Sequence, residues 1–265
     1  MERLKIGVRL ESLGLPLRRA LQAAERLGVA GVQVDAAGAL SPKALSQTGR
    51  REFRNLLRAH NVELTALGCP LRHGLDIPEN QEGRIDYIRE TMTLAFDLGP
   101  RRVIIQPGRI PTTAEDPRHN LLAEALLALG HYGDKGGCML ALDTGLEPGE
   151  ALSELLNRFD TGSLGVNLDP ANLLMHDFDP YAGARALNRK IVHSYAKDVR
   201  RSGPSRTAQE VPVGHGDLDW MLYFGVLEEI EYRGWITVVR ESGDNRLADI
   251  TSGVTFLRRF IGQQA

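Results

Sequence analysis

A single (β/α)8 barrel is the fold class that this sequence predicts, and three observations carry it. Short apolar runs alternate with longer amphipathic stretches along all 265 residues, the signature of a parallel sheet with crossover helices. Eight such units fill the chain, which suits a closed barrel better than an open doubly wound sheet. No Gly-rich dinucleotide fingerprint follows the first strand. No linker or low-complexity tract interrupts the pattern, so residues 1–265 read as one domain.

The elements follow in order. A strand at 4–10 leads to an amphipathic stretch at 17–27, and a strand at 31–35 to one at 52–60. Strands at 62–68 and 102–106 are followed by helical patterns at 85–98 and 121–132. Strands at 138–143, 164–169 and 190–196 come next, then the longest irregular segment, 199–216. A helix at 218–232, a strand at 235–241 and a helix at 247–261 complete the count.

Side chains alternate faces along a strand, and the alternation divides each one. Ile6 and Val8 oppose Gly7 and Arg9; Val32 and Val34 oppose Gln33 and Asp35. Val62, Leu64 and Ala66 oppose Glu63, Thr65 and Leu67. Val103 and Ile105 oppose Ile104 and Gln106; Leu140 and Leu142 oppose Ala141 and Asp143; Val166 and Leu168 oppose Asn167 and Asp169. His193, Tyr195 and Lys197 share a face, as do Thr237, Val239 and Glu241. The apolar face packs on the outer helices, and the other points into the barrel.

Arg9, Asp35, Gln106, Asp143, Asp169, Lys197 and Glu241 therefore converge at the C-terminal mouth, where barrel active sites lie. Asp143 and Asp169 end adjacent strands. Paired carboxylates suit a hard divalent cation such as Mg2+ or Mn2+, or they hold sugar hydroxyls or a basic side chain. Lys197 is a point charge for a phosphate or a carbonyl, or it pairs with a mouth carboxylate. Arg9 can grip an anionic group. Asn172, three residues after Asp169, turns to the pocket or caps the next segment. Glu210 and His215 sit in or beside the long loop, where they can close over a ligand. His193 is a substrate contact or a hydrogen-bonded core histidine.

Composition narrows the class. Thirty-two basic and 34 acidic residues leave a charge of −2, which gives no broad attraction to nucleic acid or anionic membranes. No run of 18 apolar residues suggests a membrane span, and the N-terminus lacks a signal-peptide pattern. Cys69 and Cys138, the only cysteines, read as reduced thiols of a cytoplasmic protein. The oligomeric state is open.

Several motifs resemble one family. They are Leu-Ala-Leu-Asp-Thr-Gly (140–145), Asn-Leu-Asp-Pro-Ala-Asn-Leu (167–173), His-Ser-Tyr-Ala-Lys-Asp (193–198), Val-Val-Arg-Glu-Ser-Gly-Asp (238–244) and the loop at 210–220. In this order on these strands they resemble the xylose isomerase-like TIM barrels, which include sugar-phosphate isomerases and epimerases and endonuclease IV. The resemblance implies one divalent metal held by Glu, Asp, His and Glu from the last four barrel strands. It also implies proton transfer between neighbouring carbons of a sugar or sugar phosphate. Here those positions hold Asp143, Asp169, Tyr195 and Val239.

Two readings follow. In one, the chain is a sugar isomerase or epimerase with an altered site. Asp143 and Asp169 hold Mn2+, Mg2+ or Zn2+ weakly, or hold the substrate directly, while Asp143, Glu241 and Lys197 carry the chemistry. Arg9, Asp35, Gln106, Asn172, His193, Tyr195, Glu210 and His215 contact the substrate. In the other, the chain is a metal-free relative that binds a sugar or polyol without turnover. A nuclease would need a histidine-rich metal cluster and a basic face, which this sequence lacks.

Overall fold

The computed structural model describes residues 4–111, 113, 115–202 and 207–261. Its strands are β1 (Lys5–Arg9), β2 (Gly31–Asp35), β3 (Glu63–Gly68), β4 (Arg102–Ile105), β5 (Met139–Asp143), β6 (Leu164–Leu168), β7 (Ile191–Ala196), β8 (Asp198–Ser202), β9 (Thr207–Val211) and β10 (Trp235–Val238). Its helices are α1 (Leu17–Leu27), α2 (Gln47–Ala59), α3 (Gln81–Leu98), α4 (Pro117–Gly136), α5 (Gly149–Leu156), α6 (Pro170–Met175), α7 (Pro180–Leu187), α8 (Trp220–Glu229) and α9 (Arg246–Ile261).

Eight strands close into a barrel in the order β1-β10-β7-β6-β5-β4-β3-β2. All eight pairings are parallel. Helix starts are written locally. α4, α6 and α7 each begin with an Asp cap followed by Pro, and in each the Asp carboxylate accepts a backbone N–H of the first turn. Proline lacks the N–H that such a turn leaves unbonded, and its fixed φ suits the first helical position.

The main core lies between sheet and helices. A smaller cluster, Ala66, Ile104, Ala141, Tyr195 and Val239, lies inside the barrel. It corrects the reading of the third strand. Ala66 points inward, away from Leu64 and Leu67, which join the outer core. The register of β2 on β3 shifts there: Val32 faces Leu64, but Gln33 faces Ala66. A bulge inserts one unpaired residue, Thr65, and reverses which face the following residues occupy. Gly68 also turns toward the mouth, where a Cβ would sit 2.2 Å from Asp35 Oδ1.

The segment at 199–216 is not irregular throughout. β8 and β9 form an antiparallel hairpin beside the barrel mouth; residues 203–206 lie outside the described residues. Asp198, at the base of β8 and 1% exposed, organises the return to α8. Its carboxylate accepts N–H groups of Val199, Gly214, Gly216 and Leu218 and the Trp220 indole N–H, at 2.9–3.4 Å.

Cys69 and Cys138 are free and buried. Among the described residues no helix is long and apolar enough to cross a membrane.

Removing the Asp198 carboxylate strands several buried donors, each costing about 1–3 kcal/mol unpaired. Asp198→Ala is expected to lose about 3 kcal/mol or more, a fall in melting temperature of roughly 6–12 °C. Urea and thermal unfolding check this, and a loss below about 1 kcal/mol would refute the organising role.

Candidate functional site

At the C-terminal ends of the strands lies a cavity of about 270 Å3, floored by Tyr195, Val239 and Ile104 and walled by charged groups. Arg9, Asp35, Gln106, Asp143, Asp169, Asn172, Tyr195, Lys197 and Glu241 all line it. Several of these sit just beyond the strand ends: β4 stops at Ile105, β6 at Leu168 and β10 at Val238. Gln106, Asp169 and Glu241 therefore project from the first residues of the loops.

Two ion-pair systems meet at Glu241. Arg9 grips Asp35 through two nitrogens, at 2.7 and 3.3 Å, and gives a third to Glu241 Oε1 at 3.0 Å. Lys197 Nζ donates to Glu241 Oε2 at 2.7 Å and to Asn172 Oδ1 at 3.1 Å, with Asp169 Oδ2 at 3.6 Å. Burial alone would raise the Glu241 carboxyl. The charges of Lys197 and Arg9 outweigh it and hold the group below its ordinary value. Burial likewise works against the Lys197 ammonium, but Asp169 and Glu241 overcome it and raise its pKa. Both groups are therefore charged at neutral pH.

Asp143 has the opposite setting. Burial, reinforced by the neighbouring Asp169 charge, pushes it well above the ordinary carboxylate range despite a 2.6 Å bond from Asn167 Nδ2. Burial raises Asp169 too, opposed first by Lys197. Asp169 Oδ1 also caps α6 through the Asn172 N–H at 2.9 Å. The cation stands beside Asp169, so Asp143 is the more strongly raised of the two carboxyls.

Beneath Asp143 runs a buried chain. Thr237 Oγ1 lies 2.9 Å from His193 Nε2, and His193 Nδ1 lies 2.7 Å from Asn167 Oδ1. Asn167 donates onward to Asp143, so its oxygen faces the imidazole and His193 carries its proton on Nδ1. Burial, then the Arg102 charge, holds His193 well below its ordinary value. The ring is neutral and does not line the cavity; it orients Asn167, and through it Asp143.

Glu210 is also placed away from the cavity. Its carboxylate accepts the backbone N–H groups of Glu241 and Ser242 and the Ser242 hydroxyl, at 2.7–3.1 Å, and pairs with Arg240 at 3.4 Å. It clamps the loop that carries Glu241. His215 is exposed, with its carbonyl bonded to Arg200. Gln33, which sequence reasoning left out of the site, lines the cavity and donates to the Tyr195 hydroxyl oxygen at 2.8 Å. The signal was available: Gln33 is a polar residue in the same inward register as Asp35.

The residues present do not fit the family's four-ligand metal. Asp143 and Asp169 are the two carboxylates. Val239 has no donor atom, and the neutral Tyr195 phenol is a poor ligand whose oxygen already accepts from Gln33. Among the described residues no three His, Cys, Asp or Glu side chains gather as a metal-binding set.

A family model described as xylose isomerase-like TIM barrel matches residues 21–260. Uncharacterized protein YfiH of Bacillus subtilis is 26% identical over 98% of this chain and 100% of its own length. The inosose dehydratase of Lactiplantibacillus plantarum is 28% identical over 46% of this chain and 48% of its own. Among solved structures, a xylose isomerase domain protein from Planctomyces limnophilus has a TM-score of 0.86 at 23% identity, covering 98% of both chains. A D-tagatose 3-epimerase-like protein has 0.79 at 18%, covering 97% of both. At these identities the structural likeness speaks for the fold.

Asp143 binds its proton more tightly folded than unfolded. Stability therefore falls as pH rises from its ordinary value of 3.8 toward the raised native value, and levels off beyond. Asp143→Asn removes that cost while keeping an acceptor for Asn167. Its melting temperature is expected to exceed wild type by about 2–4 °C near pH 7, as for about 1 kcal/mol. The gain should vanish below about pH 4. Thermal scans across pH measure it; a variant less stable at pH 7 would contradict the assignment.

Proposed function

This chain belongs to the xylose isomerase-like TIM barrel family, and from that premise we propose that it is a sugar isomerase or epimerase-type enzyme acting on an unphosphorylated sugar. The observation that carries the proposal is the contrast between two carboxyl groups lining one cavity: burial and the Asp169 charge push Asp143 above the ordinary carboxylate range, while Lys197 and Arg9 hold Glu241 below it. Carboxyls pushed apart in this way mark acid and base assignments.

Asp143 is the group that moves the proton. A raised pKa makes its carboxylate a stronger base when ionised and its acid form a ready donor. Glu241 has both oxygens taken by cations, so it anchors Lys197 and Arg9 and is a poor proton acceptor. One mobile acid–base group favours isomerisation on a single face: a proton leaves the hydroxyl-bearing carbon for Asp143 and returns to the former carbonyl carbon, while the hydroxyl proton passes to the former carbonyl oxygen and leaves a carbonyl behind. Lys197 holds the oxygen that gains negative charge meanwhile. Asn172 and Tyr195 offer polar atoms for ligand hydroxyls. The epimerase-like and inosose dehydratase relatives support a carbohydrate-sized ligand.

Charge argues against a phosphate ester. Four carboxyl groups line the cavity against Arg9 and Lys197, and both cations are already paired. Even with Asp143 neutral, the balance is negative and repels a dianion. Tyr195 and Val239 at the ligand positions support a second reading, sugar binding without turnover.

The test is a panel of neutral ketoses and aldoses with their phosphate esters, followed by calorimetry for binding and NMR for isomerised product. A neutral sugar is expected to bind at least tenfold tighter than its phosphate. Asp143→Asn should lower turnover by about 100-fold or more with little change in binding. Wild-type kcat/KM should rise with pH through a value above the ordinary carboxylate range, because Asp143 must ionise to accept a proton. Binding without product selects the second reading; tighter binding of the phosphate esters would overturn the substrate class.

A further inference from the structure

We propose that the Gln33 amide and the Tyr195 hydroxyl form a subsite on the cavity floor that takes one hydroxyl group of the ligand and selects polyhydroxy ligands over their deoxy analogues. The inference deepens the sugar isomerase reading and rests on it for the class of ligand, though not for the hydrogen-bonding capacity of the pair.

Position comes first. Gln33 stands in β2 and Tyr195 in β7, with β1 and β10 between them in the barrel wall. The two side chains meet inside the barrel, where Gln33 Nε2 lies 2.8 Å from the Tyr195 hydroxyl oxygen. Both line the cavity, and they are 0% and 6% exposed. Ala66, Ile104, Ala141 and Val239 pack with Tyr195. The pair is therefore a polar spot on a largely apolar floor.

The count of donors and acceptors comes second. Gln33 Oε1 has no hydrogen-bond partner among the described residues. The Tyr195 oxygen accepts from Gln33, so the phenol proton is not spent on the amide. Burial, then the Asp143 charge, raises the Tyr195 phenol well above its ordinary value, and it keeps that proton at neutral pH. The pair thus offers one acceptor and one donor. Turning the amide over exchanges the roles: the phenol then donates to the amide oxygen, and an amide N–H and the phenol oxygen are left. One donor and one acceptor remain either way. A hydroxyl uses both at once. An ionised phosphate or carboxylate oxygen only accepts, an ammonium only donates, and a methylene does neither.

The third observation lies on the wall. Gln106, just after β4, lines the same cavity, and its Oε1 is a second buried amide oxygen without a partner among the described residues. It is placed to accept from a second hydroxyl. A buried polar atom left unpaired costs stability, and the hydroxyls of one ligand would satisfy both amides. A deoxy analogue leaves the floor pair unmatched beneath it, and a site built around a ligand hydroxyl rejects such an analogue strongly.

The test is calorimetry on the full chain with D-fructose and D-tagatose, and with derivatives of each that lack one hydroxyl in turn. At one carbon the deoxy derivative is expected to bind wild type at least tenfold weaker than its parent. Gln33→Leu and Tyr195→Phe should each weaken the parent sugar at least tenfold and close that gap. A wild type without such a gap, or a gap that survives in both variants, would overturn the subsite and leave the sugar reading intact. Thermal unfolding supplies a readout that needs no sugar. Replacing both partners by apolar groups is near neutral when the pair carries no structural load, so the double variant, with Gln33→Met in place of Gln33→Leu if the latter does not fold, is expected to melt no more than about 3 °C below wild type. A larger fall marks a structural pair and overturns the proposal. If neither sugar binds wild type and the double variant stays stable, the sugar reading falls and the subsite stands.

Discussion

An ammonium group buried at a barrel mouth survives only if acceptors surround it, because desolvation otherwise removes its proton. Lys197 donates to Asn172 and Glu241 and has the Asp169 carboxylate as an ion-pair partner at 3.6 Å. Much of the site follows from satisfying this one charge. Lys197 opposes the rise that burial imposes on Asp169, Glu241 is bridged between Lys197 and Arg9, and Arg9 is tied to Asp35. Asp143, with no ion-pair partner of its own among the described residues, is pushed well above the ordinary carboxylate range.

The supporting layer is polar and almost fully paired. Thr237, His193 and Asn167 form a buried chain that aims at Asp143. Glu210 and Asp198 hold backbone N–H groups of the loops that carry or follow the site. Gly145, with φ +134°, lets the loop after β5 approach α6 where a Cβ would lie 2.4 Å from Asn172 Cβ. The mouth is thus positioned by buried hydrogen bonds rather than by mobile surface side chains.

Much of this was legible in the chain. Alternating parity on β4, β5, β6 and β7 separated the inward from the outward residues, and the polar ends of that inward face line the cavity. β3 was misread because a bulge at Thr65 inserts a residue. Alternation counts residues and has no way to register an unpaired one. Glu210 and His193 were singled out as substrate contacts, His193 with a core role as its alternative. Which of two polar residues meets a ligand and which holds a loop depends on partners dozens of residues away.

What the sequence by itself determined is the periodicity: eight strand–helix units, Asp-Pro helix starts, and a polar inward face toward one end. These are properties of neighbours along the chain, and local sterics and hydrogen bonding fix them. What only the tertiary structure decided is the protonation and pairing of the site. Lys197 and Glu241 lie 44 residues apart, and Arg9 and Glu241 lie 232 apart. Whether each carboxyl keeps its proton depends on burial and on charges within a few ångströms, and barrel closure alone brings those together.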